Sequence, residues 1–169
     1  IEQMFLYELK DNFTLNYDNK ANLEKLLIRI SAIKVFDPAC GSGNFLVIAY
    51  KELRKLEHAL LERIDQLTEH VTNGVMFSHI TIENFYGIEI DDFAHEVAIL
   101  SLWLAKHQMN LEFKAKFGIE IPLVPLQEAG NIEHGNATRL DWNKVCPNKT
   151  KFSKKEKYLL SIGETSQGT

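Results

Sequence analysis

Two acidic residues and a pair of glycines are the groups in this 169-residue chain whose placement suggests chemistry. Asp37 follows the run "IKVF" and opens "DPACGSGNF", where Pro38, Ala39 and Cys40 lead into Gly41 and Gly43, and Asn44 and Phe45 come next. A glycine-rich turn of this kind lets a ligand come close to bare backbone. Glu89 closes a second apolar run, "FYGIE", with Ile90, Asp91 and Phe93 just beyond it. A carboxylate there can accept hydrogen bonds from both hydroxyls of a ribose, and Asp91 and Phe93 can flank an adenine ring. Such an acidic rim suits a sulfonium ligand with an amino-acid tail better than a pyrophosphate.

A dinucleotide site fits poorly. Its fingerprint needs a third glycine three residues after the second, so that the helix can pack close beneath a pyrophosphate. Here that position is Leu46, and Glu89 comes much later than the usual spacing of about 20 residues. NAD is therefore not expected to bind.

The elements that must position these residues can be read from apolar spacing. Leu23, Leu26, Leu27 and Ile30 share one helical face, and Ile33–Phe36 reads as a short strand buried on both faces. A helix is predicted from Ser42 or Gly43 to about His70. Its stripe holds Phe45, Leu46, Ala49, Leu53, Leu56, Leu60, Ile64 and Leu67, and Asn73-Gly74 breaks it. "TIENFYGIEI" is the second strand region. Asp91 or Asp92 then caps a helix carrying Ala94, Val97, Ala98, Ser101, Leu104 and Ala105 on one face. "IPLVPL" reads as extended edge or loop, "NIEHGNATRLDW" as a third strand and turn, and "KYLLSI" as a fourth strand. Strands and helices in alternation imply an α/β fold, a mostly parallel sheet with helices on both faces. Ligands of such sheets lie outside the carboxyl ends of the strands, so the glycine turn and Glu89 fall on one rim.

Composition narrows the partners. A hydrophobic fraction of 45% and a charged fraction of 25% are those of a globular domain, and the length suits one domain. No apolar run approaches the roughly 20 residues that span a bilayer. The first residues do not read as a signal peptide. Cys40 and Cys146 fit no metal spacing and read as reduced thiols, and the scattered histidines suggest no metal site, so a cytoplasmic setting is expected. The net charge of −4 argues against coating nucleic acid by charge alone, although Lys144, Lys149, Lys151, Lys154, Lys155 and Lys157 cluster late in the chain.

The residues as a set resemble the S-adenosylmethionine-dependent DNA adenine-N6 methyltransferases. Within that family they look most like the methyltransferase region of the fused restriction–modification enzymes of the MmeI type. "DPACGSGNFL" resembles the first motif, which binds the methionine end of the cofactor, and "FYGIEIDDFAHEVAILSLWLAKHQMN" the second motif with its helix. "GNATRLDW" resembles the third, with Asn136 in place of the acid that commonly contacts the adenine amino group and Ala137 beside it. "LNYDNKANLEKLL" loosely resembles the motif that precedes the first strand. The resemblance covers about Tyr17 to Val145. It implies a Rossmann-like methyltransferase fold, incomplete at its C-terminal end, with S-adenosylmethionine as cofactor and DNA as partner through a longer protein whose recognition domain lies downstream. The domain plan it implies is a helical lead-in over 1–30, a cofactor-binding core over 31–145, and a basic loop and truncated end over 146–169.

The family's Asn-Pro-Pro-aromatic motif is absent from the 169 residues. That motif would supply acceptors for both hydrogens of the adenine N6 amine and a ring for the flipped base. The chain alone is therefore expected to transfer no methyl group. Rival readings are a methyltransferase of the same fold acting on RNA, a protein amide or a small molecule, and a non-catalytic module that binds S-adenosylmethionine or scaffolds a larger enzyme. At single residues, Glu89 and Asp91 can also be helix caps, and Asn136 can simply occupy a turn.

Overall fold

The computed structural model describes residues 2–68, 77–121 and 131–147. Two helices lead in, α1 (Glu2–Leu15) and α2 (Lys20–Ser31). Asn19 starts α2 by accepting the Asn22 amide at 3.1 Å, and Leu23, Leu26, Leu27 and Ile30 are all buried, as their spacing requires. Strand β1 (Val35–Asp37) passes through the glycine turn into α3 (Asn44–Leu67). A 3₁₀ turn over Ile82–Asn84 introduces β2 (Phe85–Glu89), which feeds α4 (Asp92–Phe117). Then come β3 (Asn131–His134) and a single turn of helix, α5 (Trp142–Val145).

The sheet runs β1-β2-β3 with both pairings parallel, so the strands' carboxyl ends share one rim. In register, Asp37 lies opposite Gly87 and Glu89 opposite His134. Neighbouring residues of a strand face opposite sides. Phe85 meets the Tyr50 ring of α3 at 5.3 Å, while Phe36, in register with Tyr86 on the other face, meets Trp142 of α5 at 5.4 Å. Helix α3 thus packs on one face of a parallel sheet and the single turn α5 touches the other, within the α/β arrangement that the alternating pattern predicts.

Four details differ from the reading of the sequence. The first strand begins at Val35 rather than Ile33, and its three residues are half-buried. Among the described residues β1 has a strand on one side only, which leaves its other edge open. The start of "TIENFYGIEI" is a 3₁₀ turn, and the strand ends at Glu89 because the chain turns there into the Asp91 cap. The buried face of α4 runs Ala98, Leu102, Ala105, Met109 and Phe113, rotated by part of a residue's turn from the predicted stripe, and Leu104 is exposed. Leu100, Leu104 and Leu111 are exposed while Ala98 and Ala105 are buried, so packing against the rest of the fold, not side-chain size, decides which face goes inward. Phe45 is 38% exposed at the rim while Leu46 behind it is fully buried. Asn73-Gly74, most of "IPLVPL", "KYLLSI" and the late lysines other than Lys144 lie outside the described residues.

Away from the rim, α3 carries a buried polar cluster. Arg54 Nε lies 3.0 Å from Glu57, and its guanidinium donates to Tyr50 Oη at 2.9 Å and Asn110 Oδ1 at 3.2 Å. Glu57 accepts the Ser78 hydroxyl at 2.9 Å and the amides of His79 and Ile80, so the lead-in to β2 is tied to α3. His58 packs edge-on against the rings of Phe113 and Phe117 beside Arg54. Burial, with Arg54 and Lys116 nearby, pushes its imidazole down to about 4.

Candidate cofactor-binding site

The turn between β1 and α3 is fixed by its own backbone. Asp37 Oδ1 accepts the Ala39 amide at 3.0 Å, the Cys40 amide reaches the Ile88 carbonyl at 3.1 Å, and Gly43 N–H donates to the Cys40 carbonyl at 2.8 Å. Gly41 and Gly43 adopt φ of +54° and +81°, a region costly for any residue with a Cβ. Gly43 is doubly constrained, because a Cβ there would stand 3.2 Å from the Cα and Cβ of Ala98 on α4. The turn therefore sits hard against α4.

Glu89 joins the two strand ends. Its Oε2 accepts the Gly41 amide at 2.8 Å, and its Oε1 accepts the amides of Ile90 and Asp91, each at 2.9 Å. These amides, Asp91's foremost, hold the carboxyl below the usual carboxylate range. A carboxylate offers about four acceptor positions, and three are taken. One position on Oε2 is left to take a ligand hydroxyl without breaking a bond of the fold. The sequence suggests an acceptor for two hydroxyls; here the second would have to compete with a backbone amide for its acceptor position.

The helix ends differ. Asp91 Oδ1 caps α4 by accepting the Ala94 amide at 2.7 Å, whereas α3 begins at Gly43 with no side-chain cap. Its first amides face the rim, as suits an anionic group such as an amino-acid carboxylate. Phe45, Ile90 and Phe93 are all exposed around it, Phe93 by 79%, an apolar surface for a flat ring.

Other expected site residues serve the chain itself. The Cys40 thiol is buried against Gly87, and burial, with Asp37 and Glu89 nearby, pushes it up to about 11, so it stays protonated and only its backbone belongs to the turn. Asn136 Oδ1 accepts both the amide and the hydroxyl of Thr138, at 2.9 and 2.7 Å, which fills the oxygen expected to meet an adenine amino group. The Ala137 carbonyl accepts the Trp142 indole N–H at 2.7 Å. Pro38 is half-buried, and Ala39 and Asn44 are exposed along the turn. The stretch "LNYDNKANLEKLL" is not brought to the rim. Arg63 holds the Tyr17 carbonyl at 2.9 Å and stacks on its ring, some 30 Å along α3 from Gly43.

Sequence reasoning missed Gly87 and His134. A Cβ on Gly87 would meet Cys40 Sγ at 2.8 Å and Ile132 Cδ1 at 3.0 Å, and a glycine inside a strand is itself a signal of such close approach. His134 Nε2 lies 3.0 Å from the Ile90 carbonyl and 2.9 Å from Asp92 Oδ1. No sequence spacing announces that contact.

A parallel sheet entered through this turn and flanked by these helices defines a Rossmann-like domain of the methyltransferase class. The chain belongs to the family described as the MmeI DNA-methyltransferase domain, which it matches over residues 13–164. It is 49% identical over 148 residues to DNA methyltransferase A of Bacillus subtilis (strain 168), covering 87% of this chain and 16% of that protein. It is 29% identical over 102 residues to the adenine-specific methyltransferase BrxX of Escherichia coli O9:H4 (strain HS), covering 60% of this chain and 8% of that protein. The structure superposes with a TM-score of 0.76 and 38% identity on the type IIL restriction–modification enzyme MmeI solved in complex with DNA, over 86% of this chain and 19% of that one. The chain thus spans less than a fifth of these relatives' length.

Proposed function

We propose that this chain is the cofactor-binding part of a DNA methyltransferase in a restriction–modification system, transferring a methyl group from S-adenosylmethionine to adenine N6. The observation that carries the reading is Glu89, poised at the end of β2 with one free acceptor position and tied to the glycine turn through Gly41. In this reading Asp37–Gly41 and Gly43–Phe45 form the cradle for the methionine end, and the open N-terminus of α3 faces its carboxylate. Glu89 takes a ribose hydroxyl, Ile90 and Asp91 line the adenine, and Asn136 and Ala137 shape the turn below it. The bound cofactor supplies an electrophilic methyl group, and the chain's residues position it and restrict water. Adenine as the target is supported by the likeness to BrxX, and DNA as the partner by the MmeI complex. The core is placed at 31–145, behind a helical lead-in over 1–30. The recognition domain and the Asn-Pro-Pro-aromatic motif belong to sequence downstream of this chain.

The test is incubation of the 169-residue chain, and of a longer natural protein that carries it, with radiolabelled S-adenosylmethionine and mixed-sequence DNA, followed by nucleoside analysis. Label in N6-methyladenine from the longer protein alone is the expected result. A longer protein that also lacks the motif would favour a second reading, a non-catalytic module, and silence from both proteins would select it. Label in another nucleoside, or in adenine from the short chain, would overturn the assignment of roles.

A further inference from the structure

We infer that His134 is a positioning residue for the cofactor, holding the Ile90–Asp92 turn in the orientation that presents it to the adenine ring; this rests on reading the rim as an S-adenosylmethionine site. The turn is held from within by Glu89, whose Oε1 gathers the amides of Ile90 and Asp91. Those bonds fix the N–H side of the turn and leave the carbonyl of Ile90 to find a donor elsewhere. His134, in register with Glu89 at the end of β3, supplies it at 3.0 Å. Its Nε2 faces two acceptors, the Ile90 carbonyl and the Asp92 carboxylate, so Nε2 carries the proton.

The two contacts are not equal. Asp92 is 93% exposed at its side chain, and an ion pair in that setting is screened and worth little. The bond to the Ile90 carbonyl is therefore the one that positions the turn. Two further contacts fasten the same junction. Gly135 N–H donates to the Glu89 carbonyl at 2.8 Å, and His95 Nε2 reaches the Ile132 carbonyl at 3.2 Å. The end of β3 thus grips both the end of β2 and the first turn of α4, and His134 is its side-chain contact to the turn beside the base.

The test uses the intact protein, with S-adenosylhomocysteine binding by calorimetry and methyl-transfer kinetics. His134→Ala should raise the cofactor Kd and KM about tenfold while kcat stays within about twofold, since one hydrogen bond that orients the turn is lost and no reacting group is touched. His134→Gln, whose amide N–H can reach the same carbonyl, should return both constants to within about threefold of wild type. Unchanged binding in His134→Ala, or a glutamine variant as weak as the alanine one, would overturn the inference. So would a large drop in melting temperature accompanying the loss, which would make the histidine structural. A wild-type protein that binds no cofactor would instead sink the reading of the site itself.

Discussion

Glu89 spends most of its acceptor capacity on the protein. Three backbone amides, from Gly41, Ile90 and Asp91, converge on its two oxygens, so the side chain that would meet the ligand also joins the glycine turn to the Ile90–Asp91 turn. Its depressed pKa sets the pH range of that role. Stability from a depressed carboxylate is present above the ordinary value near 4.3 and is lost as the pH falls through the lower folded value, so the clasp is intact at neutral pH. Glu89→Gln keeps one acceptor oxygen but turns an amide NH₂ toward either Gly41 or the Ile90–Asp91 pair. The expected result is faster hydrogen exchange at one of these sets of amides, measured by NMR at neutral pH. Exchange unchanged at all three would show that the carboxylate is not the clasp. A carboxylate at the end of an apolar strand announces a possible ligand in the sequence, but its bond to Gly41 spans 48 residues and exists only once β1 and β2 are paired. Asn136 is the opposite case, since its oxygen is filled two residues away by its own turn, an alternative the sequence already offers.

At the scale of elements, the contacts that place the site are close approaches of small residues. Gly87 lets the Cys40 thiol lie across β2, and Gly43 lets the start of α3 lie on Ala98. Gly87→Ala should cost about 1–3 kcal/mol, as overpacking does, and Cys40→Ala in the same chain should recover part of that loss. A double-mutant cycle by urea unfolding measures it, and simple additivity would mean that the turn does not press on the strand. The buried cluster on α3 makes a second prediction. His58 titrates near 4 in the folded chain against 6.5 unfolded, so only the unfolded state takes up the proton between these values. Stability should fall by about 3 kcal/mol as the pH drops from 6.5 to 4. In His58→Leu the loss between pH 6.5 and 5 should largely vanish, and an unchanged slope in unfolding free energy would remove His58 as its source. Helix α2, α3 and the three parallel strands were legible because their apolar spacing is long or sharply bounded. The 3₁₀ turn before β2 was not, because Asn84 donates to the Ser31 carbonyl and Asn131 to the Glu83 carbonyl, contacts distant in sequence. The buried face of α4 was misplaced because apolar residues occur nearly all round the helix, so only packing selects among them.

At the scale of the molecule, the described strands are parallel and bring their carboxyl ends to one rim. The chain carries the first strands, the glycine turn and the clasp of a methyltransferase-family sheet, and it spans less than a fifth of the relatives it matches. A net charge of −4 gives it little attraction for phosphate, so DNA affinity should depend on the rest of such a protein. No helix among the described residues is long and apolar enough to cross a membrane. The claim on which everything else depends is that the joined ends of β1 and β2 hold S-adenosylmethionine or its demethylated product. Titration calorimetry of the intact protein with S-adenosylhomocysteine tests it directly, comparing wild type with Glu89→Ala. The expected result is saturable one-to-one binding by wild type and a loss of about 2–4 kcal/mol in the variant, from the stranded amides and the lost ribose contact. Equal affinity in the two proteins, or no binding by wild type, would contradict it.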